Sequence, residues 1–86
     1  MTDEEIVVCK KAIDTYGCAN QQIKAVKEMG GLIQAIAKAL AGEKHNVEEE
    51  IADVEIMLTQ LKIMYNMAEV DKWKELKINS LKGVVW

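Results

Sequence analysis

The sequence predicts an all-α protein, a small bundle of about four helices, and three observations predict it. Alanine, leucine, lysine, glutamate, isoleucine and methionine dominate, which is mostly a helix former's alphabet. Proline is absent and glycine occurs only five times, too few turn residues for a sandwich or barrel of many short strands. Apolar residues recur at helical spacing in four blocks joined by connections of a few residues, which makes sequential helices antiparallel. The 86 residues, 50% of them hydrophobic, form one domain spanning 1–86. A chain this short buries roughly 60–65% of the surface that it exposes when unfolded, so a monomer's core is marginal.

Thr2 and Glu5 form a capping box that starts the first helix at Asp3. Ile6, Cys9, Ala12, Ile13 and Tyr16 follow at helical spacing, and Gly17 stops the run. Asn20 is placed to cap a second helix that runs to about Ala41, with Gly42 just past its end. Its broad apolar face holds Ala25, Val26, Met29, Leu32, Ile33, Ile36, Ala39 and Leu40. The pair Gly30-Gly31 costs about 1 kcal/mol per residue inside a helix. The periodicity stays in phase on both sides, so one helix through the pair is expected, with a turn that splits it as the alternative. Asn46 and Glu49 make a second box-like start for a helix from Val47 to about Asn66 or beyond. A fourth segment, roughly Val70 to Lys82, carries Trp73, Leu76 and Leu81.

The third helix is the informative one. Val47, Ile51, Val54, Leu58, Leu61 and Tyr65 fall within a sector about 80° wide, extended on one side by Met57 and Met64. Glu50 projects inside that apolar sector, and Asp53 sits at its edge. Ile56 and Ile63 form a second apolar strip beyond Asp53. Desolvating a lone carboxylate costs several kcal/mol, so a bound cation would explain Glu50; the simpler explanation is a charge that complements the helix start. On the second helix, Glu28 lies at the edge of the apolar face, beside Lys24, Lys27, Lys38 and Gly31. Inward carboxylates on two helices are a recurring way to build a divalent-cation site.

Net charge is −3, and all eleven cations are lysine, which argues against a nucleic-acid surface and leaves no planar guanidinium for a phosphate. Phosphate-loop patterns are absent. The acidic N-terminus is not a signal peptide, and the longest uncharged apolar stretch, Met29 to Ala37, is too short to cross a bilayer. Cys9 and Cys18 read as free thiols in a reducing compartment, so a cytoplasmic protein without a membrane partner is expected. His45 reads as a loop residue, and Trp73 and Trp86 as packing residues.

The run Glu48-Glu49-Glu50-Ile51-Ala52-Asp53-Val54-Glu55-Ile56-Met57-Leu58 resembles the second motif, ExxD, of the MazG-like all-α nucleoside triphosphate pyrophosphohydrolases. The stretch Glu28-Met29-x-x-Leu32-Ile33-Gln34-Ala35-Ile36 resembles the helix that carries their first motif, ExxE. The likeness is to the short single-domain versions of phages and Gram-positive bacteria, and it implies Mg²⁺-dependent hydrolysis of a nucleoside triphosphate to the monophosphate and pyrophosphate, with Mn²⁺ as an alternative ion. It implies Glu28, Glu50 and Asp53 as metal ligands; Glu49, by its position beside them, is the candidate acceptor of the attacking water's proton, and Lys24, Lys27 or Lys38 could approach the β- and γ-phosphates. The chain departs from the pattern at Gly31, where the second glutamate of ExxE is expected, and at its C-terminal end, which lacks the family's arginines. The alternative is a non-catalytic helical module that binds a nucleotide or a protein. Because the third helix has two apolar flanks, self-association is expected, as a homodimer or tetramer that buries Ile56 or Ile63 with parts of the first and last helices.

Overall fold

The computed structural model describes residues 2–86, and among them the chain is entirely helical and connecting turn, with no strand. The four helices are α1 (Asp3–Tyr16), α2 (Cys18–Leu40), α3 (Val47–Met64) and α4 (Met67–Val85). The Thr2–Glu5 box forms in both directions: Thr2 N donates to Glu5 Oε2 at 3.0 Å, and Glu5 N donates to Thr2 Oγ1 at 3.2 Å. Gly17 ends α1 at φ +91°, a value glycine reaches without steric cost.

Three helix junctions are built differently from the sequence reading, although α3 does begin at Val47 as expected. Helix α2 begins at Cys18, directly after Gly17, and Asn20 does not cap it. The Asn20 side chain instead donates to the Tyr16 carbonyl at 2.8 Å, satisfying an acceptor freed at the end of α1. The Asn46–Glu49 box does not form; His45 Nδ1 accepts from Val47 N at 3.3 Å in its place. Helix α3 stops at Met64 rather than running through Asn66. The Asn66 side chain accepts from Glu69 N at 2.9 Å and starts α4 three residues earlier than the apolar pattern indicated.

One unbroken helix runs through Gly30-Gly31. It closes on a Schellman motif, with Glu43 N bonded to Lys38 O at 2.9 Å and Gly42 N to Ala39 O at 3.1 Å. Gly42, at φ +74°, supplies the left-handed residue this closure needs.

The most extensive contact is between α2 and α3, which run antiparallel. Gln21 Nε2 donates to Gln60 Oε1 at 2.8 Å inside this contact, and Tyr65 Oη donates to Gln22. At the other end of the pair, Gly31 lies against Glu50. Small residues line the α2 side: Ala25 and Ala35 are buried and Gly31 is half-buried. The α3 side is centred on Val54, Met57 and Gln60, with Glu50, Asp53, Leu61 and Met64 half-buried around them.

That centre is rotated from the expected one. Ile51, Leu58 and Tyr65, assigned to the core by spacing, are exposed, as are Val26, Ile33, Ile36 and Leu40 of α2. Helix α1 crosses the flank of α3 that carries Ile56: Cys9 Sγ lies 4.0 Å from the Ile56 carbonyl, and Cys9, Ile13 and Thr59 are buried. Helix α4 touches only α3 and has no buried residue. No helix of the described residues is long and apolar enough to cross a membrane.

Candidate metal centre

Glu28 sits on the edge of α2 that faces α3, seven residues, about two turns, past Gln21 of the Gln21–Gln60 contact. Glu50 and Asp53, three apart on the first turns of α3, share one helix edge and meet it from the other side. Each of the three half-buried carboxylates offers one oxygen, and these oxygens all lie within 4.8 Å of one another. No other group of three or more such side chains is brought together among the described residues.

Two features fix Glu50. Asn46 Nδ2 donates to Glu50 Oε1 at 3.2 Å. A Cβ built on Gly31 would stand 2.9 Å from Glu50 Oε2 and 3.4 Å from its Cδ. The Glu50 carboxylate therefore lies in the space that any other residue at position 31 would fill. The resemblance to the MazG-like enzymes implies a ligand at the place of Gly31; the structure gives the glycine a use of its own, as room for Glu50. The Asn46 contact was missed in the sequence, and its signal is the i, i+4 spacing to Glu50.

Three carboxylates at this separation repel. Two unit charges about 4.8 Å apart oppose each other by about 1 kcal/mol at water's dielectric constant, and by more where solvent is thinner. A divalent cation turns that repulsion into attraction. Around a Mg²⁺ ion with oxygens at about 2.1 Å, neighbouring ligands stand about 3 Å apart and opposite ligands about 4.2 Å apart. The three oxygens, all within 4.8 Å of one another, stand near that range, and the all-oxygen donor set suits Mg²⁺ or Mn²⁺. The residues present thus fit a hard divalent ion.

The remaining expected site residues are distributed as follows. Glu49 is exposed, one turn before Asp53 on the same flank of α3, and is not one of the converging three. Lys24 and Lys27 are exposed and line one open groove with Tyr16, Asn20, Gln21 and Glu28. Lys38 is exposed near the end of α2, about 15 Å along the helix from Glu28 at the α-helical rise. The structure therefore joins Lys24 and Lys27 to the edge that carries Glu28 and leaves Lys38 apart. His45 is exposed before α3. Trp73 and Trp86 are exposed on α4 and at its end, not in the core.

Comparison of the chain with protein-family models, with curated proteins and with solved structures returns no match.

Proposed function

We propose that the protein is a Mg²⁺-dependent nucleoside triphosphate pyrophosphohydrolase that works as a homo-oligomer. One observation carries the reading: Glu28 of α2 and Glu50 and Asp53 of α3, the residues matched by the resemblance to the MazG-like enzymes, offer oxygens within 4.8 Å of one another. In the reaction a water oxygen bonds to the α-phosphorus, the bond to the bridging oxygen of the β-phosphate breaks, and pyrophosphate leaves with the electron pair. Glu28, Glu50 and Asp53 would hold the ion, which would supply positive charge against the phosphates and make the attacking water more acidic. Glu49, one turn from Asp53, takes the water's proton. Lys24 and Lys27, on the groove that ends at Glu28, bind the leaving phosphates as point charges. Asn46 holds Glu50 in register through its side-chain amide.

The test is release of pyrophosphate from common and modified nucleoside triphosphates with Mg²⁺, in the parent protein and in Glu50→Gln. Metal-dependent release that Glu50→Gln abolishes supports the reading. Gly31 favours a second reading, a module that binds a metal–nucleotide complex without cleaving it, because the position contributes no fourth carboxylate. That module would be stabilised by Mg²⁺ with nucleotide and would release no pyrophosphate.

A further inference from the structure

Helices α1 and α3 leave a groove of about 410 Å³ between them. Its floor and walls are apolar: Val8, Cys9, Ala52 and Ile56. Cys9 is buried, but Val8 is 62% exposed and Ile56 47%. The other three lining residues, Glu4, Glu5 and Glu55, are exposed glutamates that rim it. Other hollows of the molecule carry cations: Lys24 and Lys27 beside Glu28, Lys62 and Lys74 between α3 and α4, and Lys74 and Lys77 along α4. No lysine lines the α1–α3 groove. Lys11 and Lys62 share helix faces with Glu4 and Glu55 but stand about two turns away.

Helix chemistry accounts for only part of this rim. Glu4 and Glu5 complement the positive end of α1, and the Thr2 box holds Glu5 in place. Glu55 lies midway along α3, beyond the reach of that helix's positive end. The groove nevertheless brings it to the same rim as Glu4 and Glu5. The negative charge is felt at the floor: burial first, and the Glu5 carboxylate second, push the Cys9 thiol above its ordinary value.

An apolar floor under an all-acidic rim fits a partner of the opposite pattern, with apolar side chains flanked by cations. A second copy does not supply it across a two-fold axis, because the same groove on both chains would set three carboxylates against three. Like charges across an interface disfavour the pairing. The described residues include no strand, so there is no sheet edge to which an extended segment could add. A cleft between two packed helices instead takes a third helix, whose anchors recur at i and i+3 or i+4. From Glu4 to Cys9 the groove follows α1 for about 7 Å, enough for two anchors one turn apart.

We propose that the α1–α3 groove is a docking site for a basic amphipathic helix of another protein. Aliphatic side chains of that helix sit on Val8, Ala52 and Ile56, and lysine or arginine side chains beside them pair with Glu4, Glu5 and Glu55. The proposal is independent of the metal centre, which is built from α2 and α3.

The test is fluorescence anisotropy of a labelled synthetic helix, with leucines at i, i+4 and i+7 and lysines on either side of that stripe. It is titrated with the full chain at low salt, without metal or nucleotide. The parent protein is expected to bind this peptide, and to bind its alanine-for-leucine version about tenfold more weakly. Glu4→Gln with Glu55→Gln should weaken binding by about tenfold, and added salt should narrow that difference. Glu43→Gln with Glu75→Gln removes the same charge elsewhere on the surface and should leave binding unchanged. Val8→Glu separates a seat from bulk attraction. It makes the chain more negative but puts a charge on the apolar floor, so binding should weaken by about fivefold or more. Helicity by circular dichroism should stay intact, since all five side chains are exposed. The proposal is overturned if the parent does not bind, if the alanine peptide binds equally, if both glutamine pairs lose equally, or if Val8→Glu binds more tightly. An oligomeric parent that Val8→Glu converts to a monomer in sedimentation velocity would place a second copy in the groove, and would equally overturn it.

Discussion

Replacing Gly31 tests the metal centre most directly, because the structure places that residue against one of its carboxylates. Two variants are compared. Gly31→Ala adds a Cβ and removes the conformational cost of glycine, a gain of up to about 1 kcal/mol in a helix interior. The new Cβ meets Glu50 Oε2 at 2.9 Å, but that atom is the far end of a flexible side chain and can rotate away, so most of the gain should survive. Gly31→Glu has nearly the same propensity gain and adds a fourth carboxylate beside three. At separations of about 5 Å each new pair opposes folding by about 1 kcal/mol in water-like surroundings. Without metal, the glutamate variant should therefore be less stable than the alanine variant by about 1–3 kcal/mol. For a domain of this size that is a difference of about 4–8 °C in Tm per kcal/mol. With Mg²⁺ the order should reverse, because an ion that binds only the folded state stabilises it by about 2.7 kcal/mol at a hundredfold excess over Kd, and a fourth ligand lowers that Kd. The assay is thermal unfolding by circular dichroism at fixed protein concentration, in chelator and across a Mg²⁺ titration, with pyrophosphate release measured in parallel. A gap between the two variants that is the same with and without Mg²⁺ refutes the metal centre.

The other predictions concern single residues. Glu50→Gln should remove Mg²⁺-dependent stabilisation while keeping helicity; if Glu50 only complements the helix start, the variant instead loses about 0.3–1 kcal/mol whether or not metal is present. Gln60→Ala leaves the buried Gln21 amide without its partner and should cost about 1–3 kcal/mol in denaturant unfolding. Asn66→Ala should cost about 0.5–2 kcal/mol through the lost cap of α4, with no change in Mg²⁺ response. Burial, and secondarily the Glu5 carboxylate, push the Cys9 thiol above its ordinary value. The folded state thus favours neutral Cys9: its contribution is complete below the unfolded thiol's pKa of about 8.5 and is lost as pH rises above it. Thiol labelling at neutral pH should therefore modify exposed Cys18 rapidly and Cys9 slowly, and Cys9→Ala should flatten the alkaline fall in stability.

Local chemistry made much of the fold legible. The Thr2–Glu5 box, the Gly17 break and the Gly42 closure each involve a few adjacent residues, whose hydrogen bonds or φ values depend little on the rest of the chain. Asn20 and Asn46 do not cap; their side-chain amides instead donate to acceptors four residues away, the Tyr16 carbonyl and the Glu50 carboxylate. Asn66 was readable by the same rule, with Glu69 three residues on, but the unbroken apolar run through Tyr65 masked it.

Spacing alone shows that the chain is helical and where α1 and α2 end, and it puts Glu28 and Asp53 at the edges of apolar faces and Glu50 inside one, because 3.6 residues per turn fixes angular position on a single helix. Spacing does not say which part of a wide apolar sector turns toward a neighbour. Tertiary structure decided that. The small residues Ala25, Gly31 and Ala35 let α2 approach α3 closely, and the Gln21–Gln60 pair fixes the contact. Together they rotate Met57 inward and leave Ile33 and Leu58 outside. The same close approach puts the Glu50 carboxylate over Gly31 and brings the three acidic oxygens together. Burial is a property of two surfaces meeting, and one helix's sequence carries only its own half.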